Sequence, residues 1–186
     1  MKKFILTDET IEMFGVTLHR IKAVRSFGNV KEGDLGGFVE KEENISENFE
    51  AWVWGNAKVW GNAEVCGNAK VCGNAKVWGN AKVCGNAKVC GNAKVWGNAE
   101  VCGDAEVWGN ADYIVFKNWW SSGRYFTWTR SNNMWSVGCF YGTGEELIKK
   151  AYADSEKNGR EYERVVRFVQ YILEDEKNDD NQEKHV

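Results

Sequence analysis

The chain has 186 residues, 43% of them apolar, which is room for one repetitive core and a small appended domain and excludes a multidomain assembly. Its formal net charge of −3 excludes a globally basic nucleic-acid binder, so affinity for a polyanion has to come from a local patch. The opening run Phe4-Ile5-Leu6 is cut short by Asp8 and Glu9, too early for a signal-peptide core, and no apolar stretch approaches the roughly 20 residues that span a bilayer. A soluble, cytoplasmic protein without a membrane partner is expected.

Residues 1–38 are expected to form an N-terminal cap. Strands are predicted on either side of Gly15, the second covering the alternating Thr17 to Val24, followed by a glycine-rich turn over Gly33 to Gly37. A degenerate first coil comes next, with Val39, Ile45 and Phe49 pointing inward.

From Val53 to Asp112 the sequence repeats every six residues, as in Val59-Trp60-Gly61-Asn62-Ala63-Glu64. Strand alternation in Ala57-Lys58-Val59-Trp60 sends alanine and valine to one side and lysine and tryptophan to the other. Gly-Asn supplies the corner, because both residues tolerate the left-handed backbone of a tight bend. The variable position also repeats every eighteen residues: Trp60, Trp78 and Trp96 form one column, Cys66, Cys84 and Cys102 a second, and Trp54, Cys72, Cys90 and Trp108 a third. Three strands per coil account for that order, and the fold class expected over residues 39–112 is a mainly β, left-handed, triangular parallel β-helix with eighteen residues per coil. With coils about 4.8 Å apart, three and a half of them make a prism roughly 17 Å tall. Its ends need caps against end-to-end polymerisation.

Residues 113–174 are expected to form a small α+β domain. Strands are predicted over Tyr113 to Phe116, Arg124 to Thr129 and Met134 to Phe140. A helix starts at Thr143, with Glu146 completing a capping box, and ends near Asn158-Gly159. A second runs from Arg160 to Glu174, and the charged tail over residues 175–186 is expected to be disordered.

Five of the six cysteines occupy the variable position of the hexad, so they are read as interchangeable small side chains and, without an export signal, as free thiols. Their spacing fits no zinc pattern, and the histidines are His19 and His185 alone, so no metal is expected.

The Gly-Asn-Ala hexads, preceded by Gly28-Asn29-Val30-Lys31-Glu32-Gly33-Asp34-Leu35-Gly36-Gly37-Phe38-Val39-Glu40, resemble the ydcK-type β-solenoid family over Thr10 to Asp112. Such proteins are common in bacterial genomes and prophages, and the resemblance implies a cytoplasmic solenoid without a defined activity. Phe116-Lys117-Asn118, Ser121-Ser122-Gly123-Arg124 and Gly138-Cys139-Phe140-Tyr141-Gly142 are similar to the tails of phage-encoded members.

Hexapeptide β-helices also include acyltransferases and carbonic anhydrases, which depend on histidine as general base or zinc ligand. The hexads contain none, and Cys139, within an aromatic strand, reads as a packed side chain rather than a nucleophile. No catalytic residue and no cofactor is expected. Instead the faces differ in charge. Lys58, Lys76 and Lys94 form a rail beside Trp60, Trp78 and Trp96, whereas Glu64, Lys82 and Glu100 alternate in sign. Like charges stacked on adjacent strands repel, a cost that a bound anion would offset, although lysine over indole is itself mildly favourable and lets the column persist without a partner. Trp119, Trp120, Arg124, Tyr125, Trp128, Arg130 and Trp135 form a second aromatic and basic cluster, most of it read as the small domain's own core, with a few members, Trp119, Trp120 and Arg124, that can extend an interface.

The expectation is a non-catalytic binding protein of phage or prophage origin that engages a host protein or protein–nucleic acid complex, such as a CRISPR-Cas nuclease, and inhibits a defence system. The alternatives are an acyltransferase with an atypical site and a structural scaffold, homodimeric or homotrimeric. The plainer account of the tryptophans is that they stack on one another, or lie under the C-terminal domain or a second subunit.

Overall fold

The computed structural model describes residues 2–183. It is mainly β: a solenoid about four turns deep, built from parallel strands, with a helical region at the C-terminal end. Strand β1 (Phe4–Met13) and β2 (Val16–Ala23) form a hairpin, followed by β3 (Leu35–Val39). Ten two-residue strands follow: β4 (Trp52–Val53), β5 (Lys58–Val59), β6 (Glu64–Val65), β7 (Lys70–Val71), β8 (Lys76–Val77), β9 (Lys82–Val83), β10 (Lys88–Val89), β11 (Lys94–Val95), β12 (Glu100–Val101) and β13 (Glu106–Val107). The C-terminal region contributes β14 (Tyr113–Lys117), β15 (Tyr125–Thr129), β16 (Met134–Val137), β17 (Phe140–Gly142), α1 (Gly144–Asp154) and α2 (Glu156–Glu183).

Each short strand from β4 to β10 pairs in parallel with the strand three ahead, so Lys58 lies beside Lys76 and Lys76 beside Lys94. Three stacks result: β3-β5-β8-β11, β4-β7-β10-β13 and β6-β9-β12. Valine and alanine of every hexad from Val53 to Val107 are at most 2% exposed and form one continuous core. The corner glycines from Gly55 to Gly103 take a positive φ, between 60° at Gly55 and 76° at Gly79, which a side chain would strain. Corner asparagines bond rung to rung, Asn62 Nδ2 donating to Asn80 Oδ1 at 3.2 Å and Asn80 Nδ2 to Asn98 Oδ1 at 3.3 Å.

The first stack continues beyond the solenoid, because β2 pairs antiparallel with β3 and β1 with β2. The glycine-rich turn expected over Gly33 to Gly37 is therefore largely strand. Gly36 and Gly37 are buried there, where a Cβ would stand 2.5 Å from Ile21 and from the Ala57 carbonyl. Val39 and Ile45 point inward as expected, but Phe49 is 71% exposed, with φ 60° turning it outward at a bend. Trp52 occupies the position that points outward as Lys58 in the alternation of the hexads, yet it is fully buried because Phe4 and Phe27 pack edge-on against it.

At the other end β14-β15-β16-β17 form an antiparallel sheet of their own, covered by α1 and α2. Thr143 caps α1 with the expected box: Thr143 Oγ1 accepts from the Glu146 amide and Glu146 Oε2 accepts from the Thr143 amide. Gly159 does not end α1. It lies inside α2, where its missing Cβ leaves room for the Tyr152 ring, 2.2 Å from where that atom would be. The tail expected to be disordered from residue 175 continues α2 through Glu183, with Arg130 bonded to Glu176 at 2.7 Å, and residues 184–186, with His185, lie outside the described residues.

The free-thiol expectation is corrected for four of the six cysteines. Cys72 is bonded to Cys90 and Cys84 to Cys102, while Cys66 and Cys139 are free. The register that makes a cysteine column sets successive Cα atoms 4.6 Å apart, within the span a disulfide bridges. No described helix is long and apolar enough to cross a membrane.

Candidate binding face

Lys58, Lys76 and Lys94 stand side by side on β5, β8 and β11, and none has a carboxylate partner among the described residues. On the neighbouring stacks the pattern differs: Lys82 lies 3.7 Å from Glu64 and Lys88 2.6 Å from Glu106. Burial, then the like charges of Lys76 and Arg20, push the Lys58 ammonium below its ordinary pKa. The Lys58 Nζ donates to the Asn56 carbonyl at 2.8 Å, and the exposed Lys94 makes no such bond.

Two residues on from each lysine, on the same side of the strand, Trp60, Trp78 and Trp96 stack as a ladder. Trp60 and Trp78 have centroids 5.1 Å apart and planes 2° from parallel; Trp78 and Trp96 are 6.0 Å apart and 10° from parallel. Exposure rises sharply along it, because the N-terminal hairpin covers the first rung. Trp60 is 7% exposed and packs with Leu18, Phe38, Ile11, Met13 and Val16, whereas Trp96 is 57% exposed. The cover on the ladder thus comes from the opposite end to the C-terminal domain.

Above Trp96 the solenoid pattern breaks. The next passage of the chain over this face is β14, which turns away to join β15 and does not pair with β11. The edge of β12 is closed by the Thr127 hydroxyl on the Glu100 amide, and that of β13 by the Ser131 hydroxyl on the Glu106 amide. At β11, Asn110 Oδ1 accepts from the Lys94 amide and the Tyr113 hydroxyl donates to the Lys94 carbonyl. Beyond that the two strands part, and a pocket of about 530 Å³ opens, lined by Trp96, Asn98, Asn110, Tyr113 and Tyr125 among others.

Trp119, Trp120 and Arg124 lie in and after the turn between β14 and β15, and no described contact joins them to the lysines or the ladder. Trp120 is packed edge-on against Phe126 and Tyr162, Trp119 is 72% exposed, and Arg124 is exposed beside Gly138. Of the residues around the pocket, the sequence points to Trp96 in the ladder and Tyr125 in the second aromatic cluster, and to none of the others. Their signal is the position eighteen residues after Trp96, where Ile114 stands instead of a further Trp or Cys.

No group of histidine, cysteine and carboxylate side chains able to hold a metal occurs among the described residues. No protein-family model matches this chain, and no curated protein matches it.

Proposed function

We propose that this chain is a non-catalytic binding protein that presents the lysine rail and the open end of the tryptophan ladder to an anionic surface of a macromolecular partner. The observation that carries this is the in-register column Lys58-Lys76-Lys94 without a carboxylate, whereas each of the other two stacks pairs one lysine with a glutamate, Lys82 with Glu64 and Lys88 with Glu106. Like charges stacked on neighbouring strands are destabilising, and an acidic partner turns that cost into affinity. The coil is read as left-handed and triangular, eighteen residues round, with the hairpin and the β14–β17 sheet serving as its caps. Such a rigid rod presents its charges on a backbone that needs no ordering on binding.

The proposed setting is the cytoplasm of a bacterial host, the protein encoded by a phage or prophage, and the partner a host protein or protein–nucleic acid complex. Inhibition of a defence nuclease of the CRISPR-Cas type is the most specific form of the proposal; it rests on the resemblance to phage-encoded solenoids.

The test is affinity capture from a bacterial lysate with mass spectrometry, comparing the wild type with Lys76→Glu. That substitution gives the rail the alternating pattern of Glu64, Lys82 and Glu100, so the fold is retained while the net charge of the column falls from +3 to +1. A stoichiometric partner lost in the variant supports the proposal. A partner retained undiminished overturns it.

A further inference from the structure

We propose that the pocket between β11 and β14 is a binding site for a free nucleoside monophosphate, its base stacked on Trp96 as a fourth rung of the ladder. The site deepens the proposed anion-binding face and rests on it for the phosphate.

Two ladders end in this pocket, and both end unfinished. The indole of Trp96 rests on Trp78 on one side, and on its other side no aromatic ring of the described residues stacks. The rings below are within 10° of parallel, so a flat ligand entering here meets an aligned platform. Base–indole stacking needs no particular base, because every base has a π-face.

The hydrogen-bond ladder stops at the same level. On the rungs below, the Trp78 amide donates to the Val95 carbonyl and the Asn80 amide to the Gly97 carbonyl. The corresponding Asn98 amide has no acceptor among the described residues, since β14 has left the stack, and the Trp96 amide meets the Tyr113 hydroxyl in place of a rung carbonyl. Asn98 Oδ1 is taken by Asn80, which leaves its Nδ2 free to donate upward; Asn110 Oδ1 is taken by the Lys94 amide, which leaves its Nδ2 free as well. The pocket therefore offers donors with nothing to receive them, beside a bare aromatic face. Its natural complement is a flat ring rich in acceptor nitrogens and oxygens, which describes a nucleobase better than a phenyl or indole side chain.

Charge selects the rest of the ligand. Lys94 lies two residues before Trp96 on the same side of the strand, about 6–7 Å away along the chain, within reach of a group attached to the stacked ring. Lys117 stands at the other margin, its Nζ 5.5 Å from the centroid of Tyr125. A phosphate on the ligand meets the rail that lacks a carboxylate. The volume, about 530 Å³, is within the range of small-ligand sites and suits one nucleotide rather than a strand.

The experiment is calorimetric titration of the full chain with AMP, adenosine and N-acetyl-tryptophanamide at low salt, repeated on Trp96→Ala and Lys76→Glu variants whose melting curves match the wild type. Expected are saturable binding of AMP, a loss of about tenfold or more in Trp96→Ala, and weakening of AMP but not adenosine in Lys76→Glu. No AMP binding at millimolar concentration overturns the assignment, as does unchanged affinity in Trp96→Ala. Adenosine equal to AMP removes the phosphate from the assignment. Binding of N-acetyl-tryptophanamide without AMP shows instead a slot for a partner's aromatic side chain. If AMP fails while lysate capture still depends on Lys76, only the nucleotide site is lost; if AMP binds while capture is indifferent to Lys76, the macromolecular proposal fails and the site stands.

Discussion

Trp60 and Trp78 stack almost in parallel, 5.1 Å apart, yet they do different work from Trp96, the third ring of the same column. Trp60 fills a gap between Leu18 and Phe38 under the hairpin, so Trp60→Ala leaves a cavity and should cost about 3–5 kcal/mol. Trp96 is 57% exposed and leaves no closed void, so Trp96→Ala should cost about 1 kcal/mol or less, largely the loss of one stacking contact. Urea denaturation of the two variants checks this, and equal losses would show that the hairpin does not seal the first rung.

The two disulfides make a second prediction. Cys84 lies between Cys66 and Cys102 in one column, and β6 pairs with β9 in the same parallel register as β9 with β12. Under oxidising conditions only Cys66 and Cys139 should react with an alkylating agent before reduction. In Cys102→Ser, Cys84 should pair with Cys66 instead, and a peptide map without reductant would contain that new cross-link. Burial and the neighbouring Glu64 raise the Cys66 thiol above its ordinary pKa, so the exchange should quicken as pH rises into the alkaline range.

The solenoid was legible because one residue class recurs at one spacing. Alternation placed valine and alanine inward, Gly-Asn marked each corner, and the order of Trp and Cys carried the three-strand coil. What the sequence concealed lay where a local rule met a long-range contact. Trp52 obeys the outward alternation of its strand, yet Phe4 and Phe27, distant in sequence, cover it. The thiols were read by compartment, whereas stacking placed them 4.6 Å apart. Gly159 has the composition of a helix stop but serves the packing of Tyr152. In the candidate site the lysine rail and the ladder were legible. The pocket was not, because it arises from β14 leaving the stack, and no local pattern at Tyr113 announces where a strand goes.

Lys3 gives a pH prediction. Its side chain is fully buried, with Nζ donating to the Ala51 carbonyl at 2.9 Å and lying 5.2 Å from the centre of the Phe27 ring. Burial pushes its pKa down to about 8, against a partial opposing pull from Glu47 and with a smaller push from Arg25. The unfolded chain, with the ordinary value of 10.5, binds more protons between those limits, so this group raises stability as pH increases from about 8 toward 10.5. Comparing the melting temperature of the wild type with that of Lys3→Met across pH 7 to 10 isolates the effect. The difference between the two should shift in favour of the wild type as pH rises, and a constant difference would show that Lys3 keeps an ordinary pKa in the fold.

Glycine at the corners answers two separate demands, and two positions divide them. Gly85 has φ 69°, and a Cβ there would stand 2.9 Å from the Gly103 nitrogen, a backbone atom held by the rung above. Gly97 has φ 70°, but it faces the pocket, and a Cβ there meets nothing within 4 Å. Gly97→Ala therefore carries only the left-handed backbone penalty, about 1–2 kcal/mol. Gly85→Ala adds a clash that can be relieved only by separating two hydrogen-bonded rungs, including the Asn86 amide on the Gly103 carbonyl at 2.8 Å. Its loss should exceed that of Gly97→Ala by about 1–3 kcal/mol, the cost of overpacking a close-packed interior. Chemical denaturation of the two single variants measures the difference directly. Equal losses would mean that the rungs part without resistance, and a larger loss at Gly97 would mean that the rung beside the pocket is packed as tightly as those within the stack.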